Sequence, residues 1–163
     1  MPFVVRDFKP QEFELLWRID QECFPPGISY SRQELTAYIR KRGGFTLVAV
    51  KVAAVKVAAV NDDEAGAIGG FIVTHGGLTG HVITIDVVSS ARRAGVGSLL
   101  LRAAEERLRA AGSRAVGLET AVDNLAALAF YKRHGYSVIR TWPRYYANGV
   151  DALVLKKDFA EKP

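Results

Sequence analysis

The residues best suited to chemistry lie in one short segment, residues 87–98, which reads Val-Val-Ser-Ser-Ala-Arg-Arg-Ala-Gly-Val-Gly-Ser. An apolar β-branched run precedes it and an amphipathic run follows it, which predicts a strand turning into a helix. Glycines 95 and 97 let the backbone approach a ligand closely. The N–H groups at a helix start attract phosphate, and Arg92 and Arg93 add positive charge on the same side. The segment therefore predicts a loop that binds a pyrophosphate.

A dinucleotide-binding fingerprint is the main alternative for this loop. That fingerprint requires a third glycine three residues after the second, where this sequence has Leu100. It also requires an acidic residue about 20 positions further on, and Glu119 stands about that far beyond Gly97. The missing glycine, the unexplained arginine pair and the late position of the loop disfavour the fingerprint. A helix start with glycines and solvated arginines is the non-functional interpretation.

The elements around the loop predict a mixed α/β protein. β-branched and alternating runs predict strands over residues 3–7, 45–50, 67–75, 81–88, 115–120, 136–146 and 151–157. Helical spacing predicts helices that begin at Pro10, at Ser31 with its capping-box partner Glu34, at Ser98 and at Asn124. The second helix should end near residues 43–44. A strand–helix–strand order implies parallel pairing and hairpins imply antiparallel pairing, so helices should cover both faces of a mixed sheet.

A Val/Ala/Lys repeat with a period near five occupies residues 48–60. Its valines favour a strand and its alanines favour a helix. We expect an extended strand or a long hairpin arm that ends at the polar turn 61–64.

Composition indicates one globular domain over residues 1–163, with 49% hydrophobic and 24% charged residues. The net charge of +5 suits an anionic partner. Basic and aromatic residues do not alternate on one face, which disfavours nucleic acid. The single cysteine, Cys23, excludes an internal disulfide. No signal peptide, membrane-length apolar run or metal-ligand spacing occurs, so we expect a cytoplasmic protein without a metal or a membrane partner. The oligomeric state stays open.

The loop resembles the acetyl-CoA pyrophosphate loop of the GCN5-related N-acetyltransferases, whose pattern is Gln/Arg-x-x-Gly-x-Gly/Ala. The predicted element order is similar to that fold over nearly the whole chain. The resemblance implies a mostly antiparallel sheet of six to seven strands with a central splayed parallel pair and about four helices. It implies that acetyl-CoA is bound by the backbone of Val87 and Val88 and by Arg92, Arg93, Ala94, Gly95, Val96, Gly97 and Ser98.

A second motif resembles the family signature Asn-x-x-Ala-x-x-x-Tyr followed by Gly-Phe/Tyr. It implies that Asn124 contacts coenzyme A and that Tyr131 lies near the sulfur. Acyl transfer to an amine needs a base and a way to stabilise the departing thiolate. Glu119 at a strand end can take the amine proton directly or through one water, and His81 is a candidate second base. The Tyr131 phenol can donate a proton to the thiolate.

Two further marks resemble the N-terminal protein acetyltransferases, including the ribosomal-protein alanine type: Phe24-Pro25 before Tyr30, and Tyr145-Tyr146 before Asp151-Ala152. In that family the corresponding loops frame the N-terminus of a peptide. We therefore predict direct transfer of acetyl from acetyl-CoA to the α-amine of a protein or peptide in a ternary complex. A lysine or small-molecule amine as acceptor, and a non-catalytic coenzyme-A-binding module, stay open as alternatives.

Overall fold

A seven-stranded sheet forms the centre of the protein. The computed structural model describes residues 2–52 and 68–160. The strands are β1 (Phe3–Asp7), β2 (Gly44–Lys51), β3 (Ile68–His75), β4 (Thr79–Val87), β5 (Ala115–Ala121), β6 (Ser137–Trp142) and β7 (Ala152–Asp158). Their spatial order is β1-β2-β3-β4-β5-β7-β6, with only β4 and β5 parallel among these pairs. The predicted mixed sheet is confirmed.

Helices cover both faces of this sheet. Within the described ranges they are α1 (Phe13–Cys23), α2 (Arg32–Arg40), α3 (Val96–Ala110) and α4 (Leu125–Arg133). The predicted capping box opens α2, because the Glu34 N–H donates to Ser31 Oγ at 3.1 Å and the Ser31 N–H donates to Glu34 Oε1 at 2.9 Å. The helix ends at Arg40, a few residues before the predicted 43–44, because Lys41 already adopts an extended ψ of 131°.

Two apolar cores result from these layers. One lies between the sheet and α3, where Leu100, Leu101 and Leu108 are buried against strand residues. The other lies between the sheet and α1 and α2, where Leu16 and Leu35 are fully buried. The central strand β3 is buried along its whole length because both faces are covered.

The parallel strands β4 and β5 separate soon after they meet. Their paired residues run only from Thr79 opposite Ala115 to His81 opposite Gly117. A β-bulge lies where this separation begins: Thr84 and Val82 pair with successive residues of β3, which leaves Ile83 unpaired. A bulge bends its strand and increases the local twist, so it helps to turn β4 away from β5. The predicted splayed pair is confirmed.

The strand predicted over residues 136–146 is shorter than expected, and the repeat at 48–60 is described only in part. The strand predicted over residues 136–146 ends at Trp142, because Pro143 lacks an N–H donor and Arg144 has a left-handed φ of 49°. Tyr145 and Tyr146 therefore lie in the connection between β6 and β7. Of the repeat at 48–60, residues 48–51 form the end of β2, whereas residues 53–60 and the predicted turn 61–64 lie outside the described residues.

Candidate active site

The predicted pyrophosphate loop is an exposed helix start. Gly95 is the N-cap of α3 with a left-handed φ of 74°, and no side chain caps the helix there. An added Cβ at Gly95 would meet nothing within 4 Å, so glycine is required by the backbone conformation and not by crowding. Arg92 and Arg93 are exposed beside it. Backbone N–H groups without a capping side chain, together with two arginines, form a suitable anion site.

Close packing between α3 and α4 depends on the second glycine. A Cβ added at Gly97 would lie 3.3 Å from the ring of Phe130. Ser98 Oγ lies 2.9 Å from His134 Nε2 at the end of α4. Burial lowers the pKa of His134, and Arg102 adds to this shift. The loop residues Ala94 and Val96 complete the segment, with Ala94 exposed and Val96 buried in the core.

The backbone at the end of β4 is partly engaged within the protein. The Val87 carbonyl accepts from Arg92 Nε at 3.2 Å and from the Cys23 thiol at 3.4 Å. The Val88 N–H donates to the Gly69 carbonyl at 2.9 Å, and the Val88 carbonyl accepts from the Ala91 N–H at 2.9 Å. None of these four bonds uses the Val87 N–H, so this is the group from which we expect a bond to an extended ligand in the splay.

The Glu119 cluster, which consists of Glu119, His81 and Tyr145, lies just beyond the point where β4 and β5 separate. Glu119 stands two residues after Gly117 on β5, and His81 Nε2 lies 2.9 Å from each of its two oxygens. The Tyr145 hydroxyl donates to Glu119 Oε1 at 3.3 Å. The Glu119 side chain is 14% exposed and that of His81 is 39% exposed. Three side chains from distant parts of the sequence thus meet at one place.

The other predicted coenzyme residues lie on α4. Asn124 is the N-cap of this helix, and its Oδ1 accepts from the Ala127 N–H at 3.2 Å. Tyr131 is buried and packs edge-on against the rings of Phe130 and Tyr136. Burial raises the pKa of the Tyr131 phenol well above its ordinary value, and the nearby Asp86 contributes to the shift. The phenol therefore stays protonated at physiological pH.

A groove of about 560 Å³ lies between the α1–α2 loop and the β6–β7 connection. Its walls carry four tyrosines: Tyr30, Tyr38, Tyr145 and Tyr146. The two loops touch directly, because the Ala147 N–H donates to the Gly27 carbonyl at 3.2 Å. Tyr145 both lines the groove and contacts Glu119, so the groove and the Glu119 cluster are adjacent.

Two residues of the predicted acceptor site belong to the loop that follows α1. Phe24 and Pro25 are not among the described residues that line the groove; Phe24 ends α1, and the Pro25 carbonyl accepts the N–H groups of Ile28 and Ser29. Tyr38 also lines the groove, and no motif in the sequence singles it out; the available signal is its spacing of one helical turn from Glu34, another lining residue.

Metal and membrane features are not evident in the part of the chain that the structure describes. No three His, Cys, Asp or Glu residues gather there as metal ligands would. None of the helices in that part is long and apolar enough to cross a membrane.

The family of the chain is decided by a sequence match over residues 13–136 to the acetyltransferase (GNAT) family, which is more than half of the chain. The chain belongs to that family. The matched region contains His81, the loop at 92–98, Glu119 and Tyr131, whereas Tyr145 and Tyr146 lie beyond it. The predicted family resemblance is confirmed.

Two curated relatives are similar to parts of this GNAT chain. N-alpha-acetyltransferase 30 of Schizosaccharomyces pombe is 36% identical over 99 residues, which are 60% of this chain and 66% of that relative. N-alpha-acetyltransferase of Sulfurisphaera tokodaii is 35% identical over 77 residues, 47% of this chain and 46% of that relative. The matches therefore span about half to two thirds of the length of these relatives.

Solved structures confirm the GNAT fold. Ard1 from Thermoplasma volcanium superposes with a TM-score of 0.82 at 25% identity, covering 99% of this chain and 100% of that one. The NatC complex bound to Gag peptide and CoA includes a chain that superposes with a TM-score of 0.79 at 20% identity, covering 98% and 100%. This second likeness concerns the fold alone.

Proposed function

We propose that this protein transfers acetyl from acetyl-CoA to the α-amine of a protein or peptide N-terminus. The observation that carries the proposal is the Glu119 carboxylate, held by His81 and Tyr145 where the tyrosine-lined groove meets the splay between β4 and β5. A groove of this kind admits a chain end and brings its amine towards a base. The relatives named N-alpha-acetyltransferase support the same assignment.

The cofactor side fits acetyl-CoA as the acetyl donor. The uncapped start of α3 at Gly95, beside Arg92 and Arg93, would hold the pyrophosphate. The splayed strands leave room for an extended arm, which Val87 would bind through its backbone. Asn124 and Tyr131 would line the far side from α4. A structural neighbour of the same fold was solved bound to CoA, in keeping with acetyl-CoA as the donor.

The chemistry is a direct attack of the amine nitrogen on the thioester carbonyl carbon. The C–N bond forms, the C–S bond breaks, and the amine loses one proton. Glu119 accepts that proton, directly or through one water, and His81 is placed to pass it to solvent because it contacts Glu119 and is partly exposed. No covalent acyl-enzyme is required. Cys23 is a poor nucleophile, because burial raises its pKa to about 11.

For Tyr131 we propose hydrogen-bond donation and not full proton transfer. Its raised pKa makes the phenol a weak acid but keeps its O–H bond intact. We assign it as a hydrogen-bond donor to the departing thiolate sulfur, which takes up a proton from solvent to become the coenzyme A thiol.

The finer assignments follow from the same proposal. Within the N-terminal acetyltransferases, the ribosomal-protein alanine type is the candidate suggested by Tyr145-Tyr146 and Asp151-Ala152. Residues 1–163 would form one catalytic domain. Its setting is the cytoplasm, in keeping with a single cysteine that cannot form an internal disulfide.

A mass-spectrometric assay with acetyl-CoA tests the acceptor. One peptide set carries free N-termini that differ at the first two residues, with alanine among them. A matched set has blocked N-termini and one internal lysine. We expect acetyl on the free α-amine, with a rate that depends on the first residue. Modification of lysine alone would move the acceptor, and no transfer despite measured coenzyme A binding would favour the non-catalytic module.

A further inference from the structure

Two aspartates are buried between α1 and β4, next to the groove and the cofactor strand. Asp20 on α1 is 0% exposed and Asp86 on β4 is 1% exposed. Asp86 directly precedes Val87, and Asp20 lies at the end of α1 that leads into the acceptor loop. Neither side chain belongs to the Glu119 cluster, and the proposed acetyl transfer does not use them.

Each aspartate has one oxygen with a clear donor. The Tyr30 N–H donates to Asp20 Oδ2 at 2.7 Å. The Thr84 hydroxyl donates to Asp86 Oδ1. The other oxygens, Asp20 Oδ1 and Asp86 Oδ2, are buried and receive no N–H or O–H donor from the described part of the chain. The two carboxyl groups lie within hydrogen-bonding reach of each other, so one added proton would bond them.

Two ionised carboxylates cannot occupy such a site stably. In residues 2–52 and 68–160 no cation bonds to either carboxyl group, and the neighbouring Arg92 contacts Cys23 and the Val87 carbonyl. The other titratable groups that face the pair are Cys23 and Glu34 from α1 and α2, Tyr131 from α4, and Tyr30 from the acceptor loop. A single proton between the two buried oxygens turns a repulsion into an O–H···O⁻ hydrogen bond. Burial raises the pKa of Asp86 well above its usual range, and Asp20 adds to that shift, so Asp86 carries the proton.

The pair is linked to the position of Tyr30. Beyond its N–H bond to Asp20, Tyr30 accepts from Trp17 Nε1 at 3.1 Å and from Gln21 Nε2 at 2.7 Å through its carbonyl. Its hydroxyl donates to the carbonyl of Ile83 at 3.2 Å, at the bulge of β4. Tyr30 is also one wall of the groove. The acceptor loop is therefore fastened to the cofactor strand through these contacts.

We infer that Asp20 and Asp86 share one proton, and that this bonded pair positions Tyr30 and the acceptor groove on strand β4. Asp86 is thus a positioning residue: it holds Asp20, which holds the Tyr30 N–H. The inference about the groove rests on the proposed function, whereas the shared proton does not.

The shared proton is tested through folding. Above about pH 4 the folded chain binds one proton at Asp86 that the unfolded chain has released, so this contribution to stability is lost as the pH rises. The side-chain amide of Asp86→Asn donates an N–H to Asp20 but has no proton that titrates in this pH range. We expect the ratio of the folding constants, wild type to Asp86→Asn, to fall by up to about tenfold per pH unit between pH 5 and 7.

Urea unfolding at several pH values gives this ratio. His75 and His134, whose pKa values burial lowers, are present in both proteins, so their effect cancels. Asp158→Asn is the control, because the Asp158 side chain is 82% exposed and its substitution should leave the ratio flat. A wild-type to Asp86→Asn ratio that stays within about twofold over this range would overturn the shared proton.

The positioning is tested by hydrogen exchange at the Tyr30 amide. Asp86→Leu keeps the branched shape of the side chain but removes the donor, whereas Asp86→Asn keeps a donor. We expect exchange at Tyr30 at least about tenfold faster in the Leu variant than in the Asn variant, and a raised peptide KM with the coenzyme A Kd little changed. Equal Tyr30 exchange in both variants, or failure of Asp86→Asn to fold where Asp158→Asn folds, would overturn the positioning role. Wild-type protein that acetylates no peptide would contradict the proposed function alone, because the folding and exchange measurements need no acceptor.

Discussion

The cofactor side and the acceptor side of this protein are built in different ways. The cofactor loop is local: Arg92 to Ser98 are consecutive, exposed in large part, and organised by the start of one helix. The acceptor side is assembled from regions that lie far apart in the sequence: α1, α2 and the loop between them, β4, β5, and the β6–β7 connection. A local site depends on backbone conformation, whereas an assembled one depends on contacts between distant elements.

This difference predicts different kinds of damage from substitution. A change in the loop should weaken donor binding and leave the acceptor side unchanged, since no residue of the loop lines the groove. A change at Glu119 itself should affect turnover. A change at Tyr145, which joins the Glu119 cluster to the groove, should affect acceptor binding more than donor binding. Three substitutions test this separation, from the largest expected effect to the smallest.

Glu119→Gln should have the largest effect. It keeps the shape of the side chain but removes the proton acceptor, so kcat should fall by roughly 10²- to 10⁴-fold while the acetyl-CoA Kd changes by less than about threefold. Steady-state kinetics and calorimetry measure the two quantities. Glu106→Gln on the exposed surface of α3 is the matched control. Unchanged turnover in Glu119→Gln would remove Glu119 as the base.

Gly95→Ala should have an intermediate effect on the donor side. At a left-handed φ the added Cβ costs about 1–2 kcal/mol and enters the open space where a phosphate would bind. We expect the acetyl-CoA Kd to rise about tenfold.

Gly112→Ala is the control for that change. Gly112 follows the other end of α3 with a φ of 100°, and its added Cβ also meets nothing within 4 Å. Both variants should lose similar thermal stability, but only Gly95→Ala should lose affinity for acetyl-CoA. Equal affinities would contradict a cofactor role for the helix start.

Tyr145→Phe should have the smallest effect, on the acceptor side. It removes a 3.3 Å hydrogen bond to Glu119 from a phenol whose pKa is raised, first by burial and then by Glu119. We expect kcat/KM for a peptide to fall about threefold, with the acetyl-CoA Kd unchanged. Tyr146→Phe is the control, because Glu119 takes its hydrogen bonds from His81 and Tyr145. A larger loss in the control would shift the key contact to Tyr146.

The sequence predicted the local parts of this molecule well. The strand β1 and the capping box of α2 follow from neighbouring residues, because each depends on interactions within a few positions of the chain. The glycine loop predicted a helix start in the same way, although α3 begins at Val96, before the predicted Ser98. The end of β6 at Trp142 is also set locally, by Pro143, but the predicted strand continued past this proline to residue 146. The assigned roles of Glu119, His81 and Tyr131 stay predictions.

Only the tertiary structure decided what depends on sheet order and on side-chain contact across the chain. The insertion of β7 between β5 and β6 carries Tyr145 to Glu119. The packing of α1 on β4 buries Asp20 against Asp86, although an acidic residue within the apolar run Val-Ile-Thr-Ile-Asp-Val-Val was visible in the sequence. Residue types and short spacings fix helix starts, turns and a phosphate loop, because those form from adjacent backbone groups. The partner of a buried carboxyl group is set by which strands and helices come together, and no short spacing records that.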